Sequence, residues 1–120
     1  TMIVAVNANP MVEHVFPIPQ LQPGRSHHPA QGWAFATGKS INAARALHHL
    51  GEEVLLVVAV GGDRGQEVVR RLRGEGLTVD PVTVAGETRT NVIVRQEGTD
   101  RYIKVNEPGR TAWLKLTAEF

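Results

Sequence analysis

Cysteine is absent from this chain, which excludes disulfides, thiol catalysis and zinc–thiolate sites. A net charge is nearly absent as well, because 13 Lys and Arg residues stand against 12 Asp and Glu residues. A chain with almost no net charge does not attract polyanions such as nucleic acids nonspecifically, so any basic site must be local. We therefore predict no nucleic-acid partner and no membrane partner.

Long apolar runs are missing too, since a membrane-spanning helix needs about 20 consecutive apolar residues and no segment approaches that length. The five histidines include no pair at the helical spacing that binds zinc, so no metal site is predicted. What is present is a chain of 120 residues with 42% hydrophobic content, enough for one domain with a core. We expect a cytoplasmic protein.

Apolar periodicity predicts alternating strands and helices. Residues 40–50 carry apolar side chains at helical spacing, and residues 54–60 are seven consecutive apolar residues. A second helix is predicted at 66–73, and strands are predicted at 3–6, 12–18 and 77–84. This order indicates an α/β fold with a parallel sheet, in which strand 54–60 would be covered on both faces. Residues 112–120 begin an amphipathic pattern typical of a helix.

A hairpin is predicted where residues 91–96 and 101–106 flank a four-residue turn. If Gln96 opposes Arg101, alternation places the apolar side chains on one face and the polar and cationic ones on the other. The apolar face comprises Val92, Val94, Ile103 and Val105, and the polar face comprises Asn91, Lys104 and Asn106, with Arg89 just outside. The apolar face predicts either a homodimer interface or packing against the chain's own sheet.

Two polar segments point to an anion-binding site. Residues 37–42, Thr-Gly-Lys-Ser-Ile-Asn, open a predicted helix and so offer backbone N–H groups and the positive end of a helix dipole. Residues 86–91, Gly-Glu-Thr-Arg-Thr-Asn, deliver the guanidinium of Arg89 from an extended segment. Together with Lys39 and Lys104 they indicate a site for a phosphorylated small molecule. The alternative is that Arg89 and Lys104 are ordinary charges of an edge hairpin.

Two glycine-containing segments resemble nucleotide or catalytic motifs only superficially. A nucleotide P-loop at Gly38 would need a glycine five residues earlier, where Trp33 stands. The plain alternative is a helix start capped by Ser40. Asp63, which follows two glycines, is interpreted as a turn or helix-capping residue rather than a catalytic base.

Five short motifs follow one another along nearly the whole chain. They are Asn9-Pro10-Met11-Val12-Glu13, Gly38-Lys39-Ser40-Ile41-Asn42, Gly61-Gly62-Asp63-Arg64-Gly65, Gly86-Glu87-Thr88-Arg89-Thr90-Asn91 and Asn106-Glu107-Pro108-Gly109. In this order they resemble the phosphofructokinase B family of ribokinase-like sugar kinases, and most closely its 1-phosphofructokinase and tagatose-6-phosphate kinase branch. Glu13, Thr37 and Ser40 stand where that branch has Asp, Gly and Gly.

The resemblance implies a ribokinase-like α/β fold, with a parallel sheet flanked by helices and a small β lid. Residues 1–120 would be its N-terminal half, with lid segments at about 11–36 and 86–107. The implied substrate-binding residues are Glu13, Gly38, Lys39, Asn42, Arg89, Asn91 and Lys104. The resemblance further implies ATP and Mg²⁺ bound outside this chain, and a homodimer that forms through the lid hairpin.

The expected function is that of the substrate-binding and lid half of an ATP-dependent sugar-phosphate kinase, of the fructose 1-phosphate or tagatose 6-phosphate type. No catalytic residue is expected in the chain, and the chain alone is expected to be inactive. The alternative is a non-catalytic sugar-phosphate-binding or dimerisation module. We expect the chain to be a fragment of a longer enzyme rather than a partly ordered protein or a gene remnant.

Overall fold

The computed structural model describes residues 2–22, 24–29, 31–106 and 117–119. Strands and helices alternate over residues 33–83, as predicted, and further strands lie on either side. The elements are β1 (Ile3–Asn7), β2 (Met11–Ile18), β3 (Trp33–Thr37), α1 (Lys39–His49), β4 (Val54–Val60), α2 (Gly62–Gly74), β5 (Thr78–Thr83), β6 (Arg89–Gln96), β7 (Tyr102–Asn106) and β8 (Thr117–Glu119). The prediction of an α/β fold is confirmed, and neither of these two helices is long and apolar enough to cross a bilayer.

The chain forms two compact units. The first contains Thr1–Val12 and Phe35–Arg89, and the second contains Glu13–Ala34 and Thr90–Phe120. Strands β1, β4 and β5 form a three-stranded sheet in the order β1-β4-β5, and the other five form a sheet in the order β3-β2-β6-β7-β8. The first unit therefore contains the whole three-stranded sheet together with α1 and α2.

The three-stranded sheet is parallel and has one covered face. Helix α1 packs on β1 and β4, and α2 packs on β4 and β5. Because both crossovers run in the same direction, right-handed connections place both helices on the same face. Along β4, Val54, Leu56, Val58 and Val60 are buried, whereas the alternate residues are half-buried. The covered face is thus the one to which Leu56 and Val58 point.

Strand β4 spans the predicted residues, while both helices begin earlier than predicted. Helix α1 begins at Lys39, and α2 begins at Gly62 rather than at residue 66. The glycines of this segment predicted a turn, but the N–H of Gly65 already donates to the carbonyl oxygen of Gly61 at 3.1 Å. That contact is the first hydrogen bond of a helix, so the turn is a single residue long.

The register of the predicted hairpin is confirmed. Val92 pairs with Val105, and Ile93 pairs with Lys104. On the apolar face Val94 packs against a buried cluster formed by Ile18, Leu21 and Ile103. That contact lies within the second unit and corresponds to the second of the two uses predicted for this face, packing against the chain's own sheet. The homodimer through the hairpin stays a prediction.

The predicted helix at 112–120 is wrong where it is described. Residues 117–119 form β8, which pairs antiparallel with β7 through Ile103 and Ala118. An edge strand such as β7 exposes unpaired backbone groups that a following extended segment satisfies, and this demand outweighs a short helical pattern. Residues 112–116 and the motif residues Glu107, Pro108 and Gly109 lie outside the described part of the chain.

Truncation of Leu56 to Ala should lower the free energy of unfolding by about 2 to 5 kcal/mol, because this side chain is fully buried under the two helices. The matched control is Leu55→Ala on the same strand, whose side chain is half-buried on the opposite face and should cost less. Denaturant unfolding of both variants measures the difference. Equal losses would contradict the assignment of the covered face.

Candidate active site

A cavity of about 380 Å³ opens in the first unit where α1 begins. It is bounded by the end of β1, the segment that follows it, the first residues of α1 and the first residue of β6. Its lining residues are Asn7, Ala8, Asn9, Met11, Gly38, Lys39, Ser40 and Arg89. Of the predicted site residues, Gly38, Lys39 and Arg89 are therefore brought together, although Arg89 is 50 positions from Lys39 in the sequence.

The lining of this cavity carries cationic side chains and no carboxylate. Lys39 is exposed, and Arg89 is half-buried. Within the described part of the chain, the Nε of Arg89 is buried and has no hydrogen-bond partner. A buried N–H group without an acceptor costs free energy, and a guanidinium next to an ammonium favours an anionic acceptor. The cavity is thus suited to an anion.

The N-terminus of α1 is occupied by the side chain of Asn7. Its Oδ1 accepts hydrogen bonds from the N–H groups of Ser40 at 3.1 Å and Ile41 at 3.3 Å. The expectation that these N–H groups are open to an anion is therefore wrong, and so is the alternative of Ser40 as cap. Gly38 is the N-cap residue and supplies no side chain. Asn7 takes that role from 33 residues away.

Glycine is required at position 38 because the side chain of Asn7 lies close to it, and not because the backbone there is strained. A Cβ at this position would contact Oδ1 of Asn7 and lie 2.7 Å from its Nδ2 and 2.8 Å from its Cγ. These distances are too short for a side chain, so a residue larger than glycine would displace the amide. The preceding residues form strand β3, which also excludes the flexible phosphate loop considered for this segment.

Asn42 is held by a small polar network one turn into α1. The hydroxyl of Thr37 donates to its Oδ1 at 3.1 Å, and Nη1 of Arg45 donates to the same atom at 3.0 Å. Arg45 also donates to the carbonyl of Ala36 at 2.8 Å and pairs with both carboxylate oxygens of Glu75. Thr37 is buried, and the hydrogen bond of its hydroxyl, with that of Arg45, fixes the orientation of the Asn42 amide.

Arg89 is positioned by the residue that precedes it. The backbone N–H of Thr88 donates to the carbonyl of Gly61 at 3.0 Å, and the N–H of Gly61 donates to the hydroxyl of Thr88 at 3.1 Å. The N–H and the carbonyl of Gly61 are thus both hydrogen-bonded to the buried residue Thr88. This double contact ties the segment after β5 to the end of β4 and fixes where β6, and with it Arg89, begins.

The N-terminus of α2 already holds an anionic side chain. A carboxylate oxygen of Glu87 accepts the N–H of Arg64 at 2.8 Å, and Asp63 lies in the first turn. Asp63 is therefore a first-turn residue, and the capping contact predicted for it belongs to Glu87. This occupied end does not fit a nucleotide phosphate. Among residues 2–22, 24–29, 31–106 and 117–119, no group of three His, Asp or Glu side chains is placed to hold a metal ion.

The other predicted site residues lie in the second unit. Glu13 is half-buried on β2, Asn91 is buried on β6, and Lys104 is half-buried on β7. Lys104 pairs with Ile93, so it shares a face of the hairpin with Asn91, as the register predicted. Their roles in a site remain predictions.

Sequence reasoning missed three residues that build this region: Asn7, Glu87 and Thr88. Each acts on a backbone group more than 20 residues away. Glu87 and Thr88 belong to one of the five motifs, so a signal for them existed. Asn7, at the end of a short apolar strand, gave none.

Comparisons with known proteins show the family and the fold. Residues 4–119 match the pfkB family of carbohydrate kinases. The tagatose-6-phosphate kinase of Staphylococcus epidermidis is 29% identical over 99% of this chain and 38% of its own length. The 1-phosphofructokinase of Haloferax volcanii is 35% identical over 90% of this chain and 35% of its own length. This chain therefore spans little more than a third of these relatives.

A solved structure has the same fold. The crystal structure of phosphofructokinase-2 from Escherichia coli in complex with fructose-6-phosphate superimposes with a TM-score of 0.80 at 27% identity. The match covers 89% of this chain and 35% of the other. The prediction of an incomplete ribokinase-like fold is confirmed.

Substitution of Gly61 by Ala should displace the segment that carries Arg89. A Cβ there would contact the carbonyl oxygen of Gly86 and lie 2.7 Å from that of Val84. Backbone atoms cannot yield as a flexible side chain does, so we expect a loss of stability of about 2 kcal/mol or more. The control is Gly86→Ala, where a Cβ meets no atom within 4 Å. Thermal unfolding should separate the two variants, and similar melting temperatures would contradict this contact.

Proposed function

The chain belongs to the pfkB family of carbohydrate kinases, and on this basis we propose that it is the substrate-binding and lid half of an ATP-dependent sugar-phosphate kinase. The observation that carries the proposal is the cavity at α1, which joins Lys39 and Arg89 and has no carboxylate in its lining. Its ligand is the phosphate group that the sugar already bears. Charge-assisted hydrogen bonds of this kind contribute about 1.5 to 3 kcal/mol each.

Lys104 would join Lys39 and Arg89 at the phosphate, and the other predicted residues would recognise the sugar. Gly38 brings the backbone close to the ligand, and Asn42, whose amide oxygen is held by Thr37 and Arg45, would present its NH₂ group to a hydroxyl. We propose that Glu13 accepts hydrogen bonds from sugar hydroxyls and that Asn91 and Lys104 approach the substrate from the lid. In this proposal the lid comprises residues 11–36 and 86–107. Glu13 in place of the family's Asp extends the carboxylate by one methylene.

The substrate class follows from the family and the cavity together. Relatives named for tagatose 6-phosphate and for fructose 1-phosphate act on sugars that carry one phosphate and an acceptor hydroxyl. We propose a substrate of this class. Phosphoryl transfer would then add a second phosphate to the sugar.

ATP and Mg²⁺ would be held by the rest of a longer enzyme. Family membership implies that ATP supplies the transferred phosphoryl group. The N-terminus of α2, the other helix end at this sheet edge, is filled by Glu87 and offers no phosphate site.

Assembly and location are proposed in the same terms. The homodimer through the hairpin stays a proposal, and the packing of Val94 against Ile18 and Leu21 reduces the apolar surface that such a dimer could bury. A cytoplasmic location suits an enzyme of sugar phosphates and ATP.

Neutralising either cation of the cavity should weaken binding of a phosphosugar. For Arg89→Gln and Lys39→Met we expect the dissociation constant for fructose 1-phosphate to rise about tenfold or more, since each loses a charge-assisted contact. Isothermal titration calorimetry on the 120-residue chain measures it. The control Arg70→Gln removes an equal charge from an exposed position on α2 outside this cavity.

Two outcomes would contradict this assignment. One is equal weakening by Arg70→Gln, which would mean that only net charge matters. The other is binding of fructose as tight as that of fructose 1-phosphate, because the cavity would then not recognise the phosphate.

The isolated chain should not transfer phosphate from ATP to fructose 1-phosphate. Phosphoryl transfer in this family relies on a base and a nucleotide site. Neither is assigned to a described residue. A coupled assay that follows ADP formation tests this with protein whose mass has been verified. Sustained turnover would contradict the proposal that the base and the nucleotide site lie outside this chain, and Asp63 would then be the candidate base.

A further inference from the structure

We propose that Asn7 is a positioning residue that must stay electrically neutral, because it caps α1 from inside the cavity in which the anion binds. The inference rests on the proposed function, since it concerns how the same cavity keeps its affinity for an anion. Asn7 is buried, ends β1 and lines the cavity together with Lys39 and Arg89.

The start of α1 is capped by a neutral side chain. A helix leaves its first N–H groups without intrahelical partners, and these groups attract an acceptor. In α1, Oδ1 of Asn7 accepts two of them, from Ser40 and Ile41. The helix has no acidic residue in its first turn. The amide of Asn7 thus satisfies these donors without bringing a charge.

The other helix of this unit is capped by a charged side chain. The N-terminus of α2 is capped by the carboxylate of Glu87, and Asp63 lies in its first turn. Both ends lie at the carboxyl edge of the parallel sheet, because Asn7 at the end of β1 caps α1 and α2 follows directly after β4. Negative charge compensates the dipole of α2, whereas α1 keeps its positive end.

The charge of the side chain at position 7 affects the binding of the ligand. Asn and Asp are about equally good helix caps, and the cost of burying a carboxylate at position 7 would be offset by its pairing with a cation of the cavity. A carboxylate there would pair with Lys39 or Arg89 inside the cavity and compete with the anion. Only the neutral side chain fixes α1 and Gly38 while leaving both cations for the ligand.

Asn7→Asp separates the two roles, because it preserves the size and the capping geometry and adds one negative charge. We expect its melting temperature to stay within a few degrees of the unmodified chain's. We expect its dissociation constant for sulfate to rise about tenfold or more. Sulfate is the probe, and it is titrated against chloride at constant ionic strength, with the amide signals of Gly38 and Lys39 followed by ¹⁵N NMR.

Two control variants sharpen the test. Gln66→Glu adds the same charge at an exposed position on α2, outside the cavity, and should leave sulfate affinity nearly unchanged. Asn7→Ser is neutral but reaches less far, so it should lose stability and still bind sulfate within about threefold of the unmodified chain.

The outcomes distinguish this inference from the proposed function. If the unmodified chain binds no sulfate, or if Arg89→Gln binds it equally well, the proposed function fails and the inference fails with it. If Arg89→Gln weakens binding but Asn7→Asp does not, only the inference fails. Equal weakening by Gln66→Glu or by Asn7→Ser, or failure of Asn7→Asp to fold, would also overturn it.

Discussion

The parallel pairing of β4 with both of its neighbours is the constraint on which the rest of the first unit depends. Its register places Asn7 of β1 beside Val58 of β4, and Val60 of β4 beside Thr83 of β5. Three carboxyl ends therefore reach one edge of the sheet. The chain that leaves this edge supplies the cap of α1, the start of α2 and the segment that leads to Arg89. The parallel pairing by itself therefore brings residues from distant parts of the sequence together at this edge.

Hydrogen bonds between side chains and backbone groups hold the segments at that edge. Asn7 holds the start of α1, and Thr88 holds the segment before Arg89 through two hydrogen bonds to Gly61. Neither of these contacts involves a charge. Neutral groups thus contribute to the positions of Lys39 and Arg89, while the carboxylate of Glu87 binds at the start of α2. Positioning by carboxylates would have offset the charge that an anion site requires.

The parts of the fold that follow local periodicity could be predicted from the sequence. The register of the hairpin followed because a shift of one residue would mix its two faces. Lys39 and Arg89 could be predicted as site residues because their chemistry shows in their side chains. The role of Asn7 could not, because it joins residues 33 apart through backbone N–H groups that have no sequence signature. The start of α2 was predicted too late for a related reason. Glycines are typical of a turn, but at Gly61 the absence of a side chain permits close packing at the start of a helix.

The seven apolar residues of β4 predict cover on both faces of the sheet, and α1 and α2 supply it on one. On the other face Val4, Val6 and Val82 are 55%, 61% and 52% exposed in the described part of the chain. Register places Val4 and Val6 beside Leu55 and Val57, so these side chains form one continuous apolar surface. Such a surface is costly in water, at about 25 cal/mol for each Å². This chain spans little more than a third of its relatives, and in proteins of their length further residues are available to cover the corresponding face.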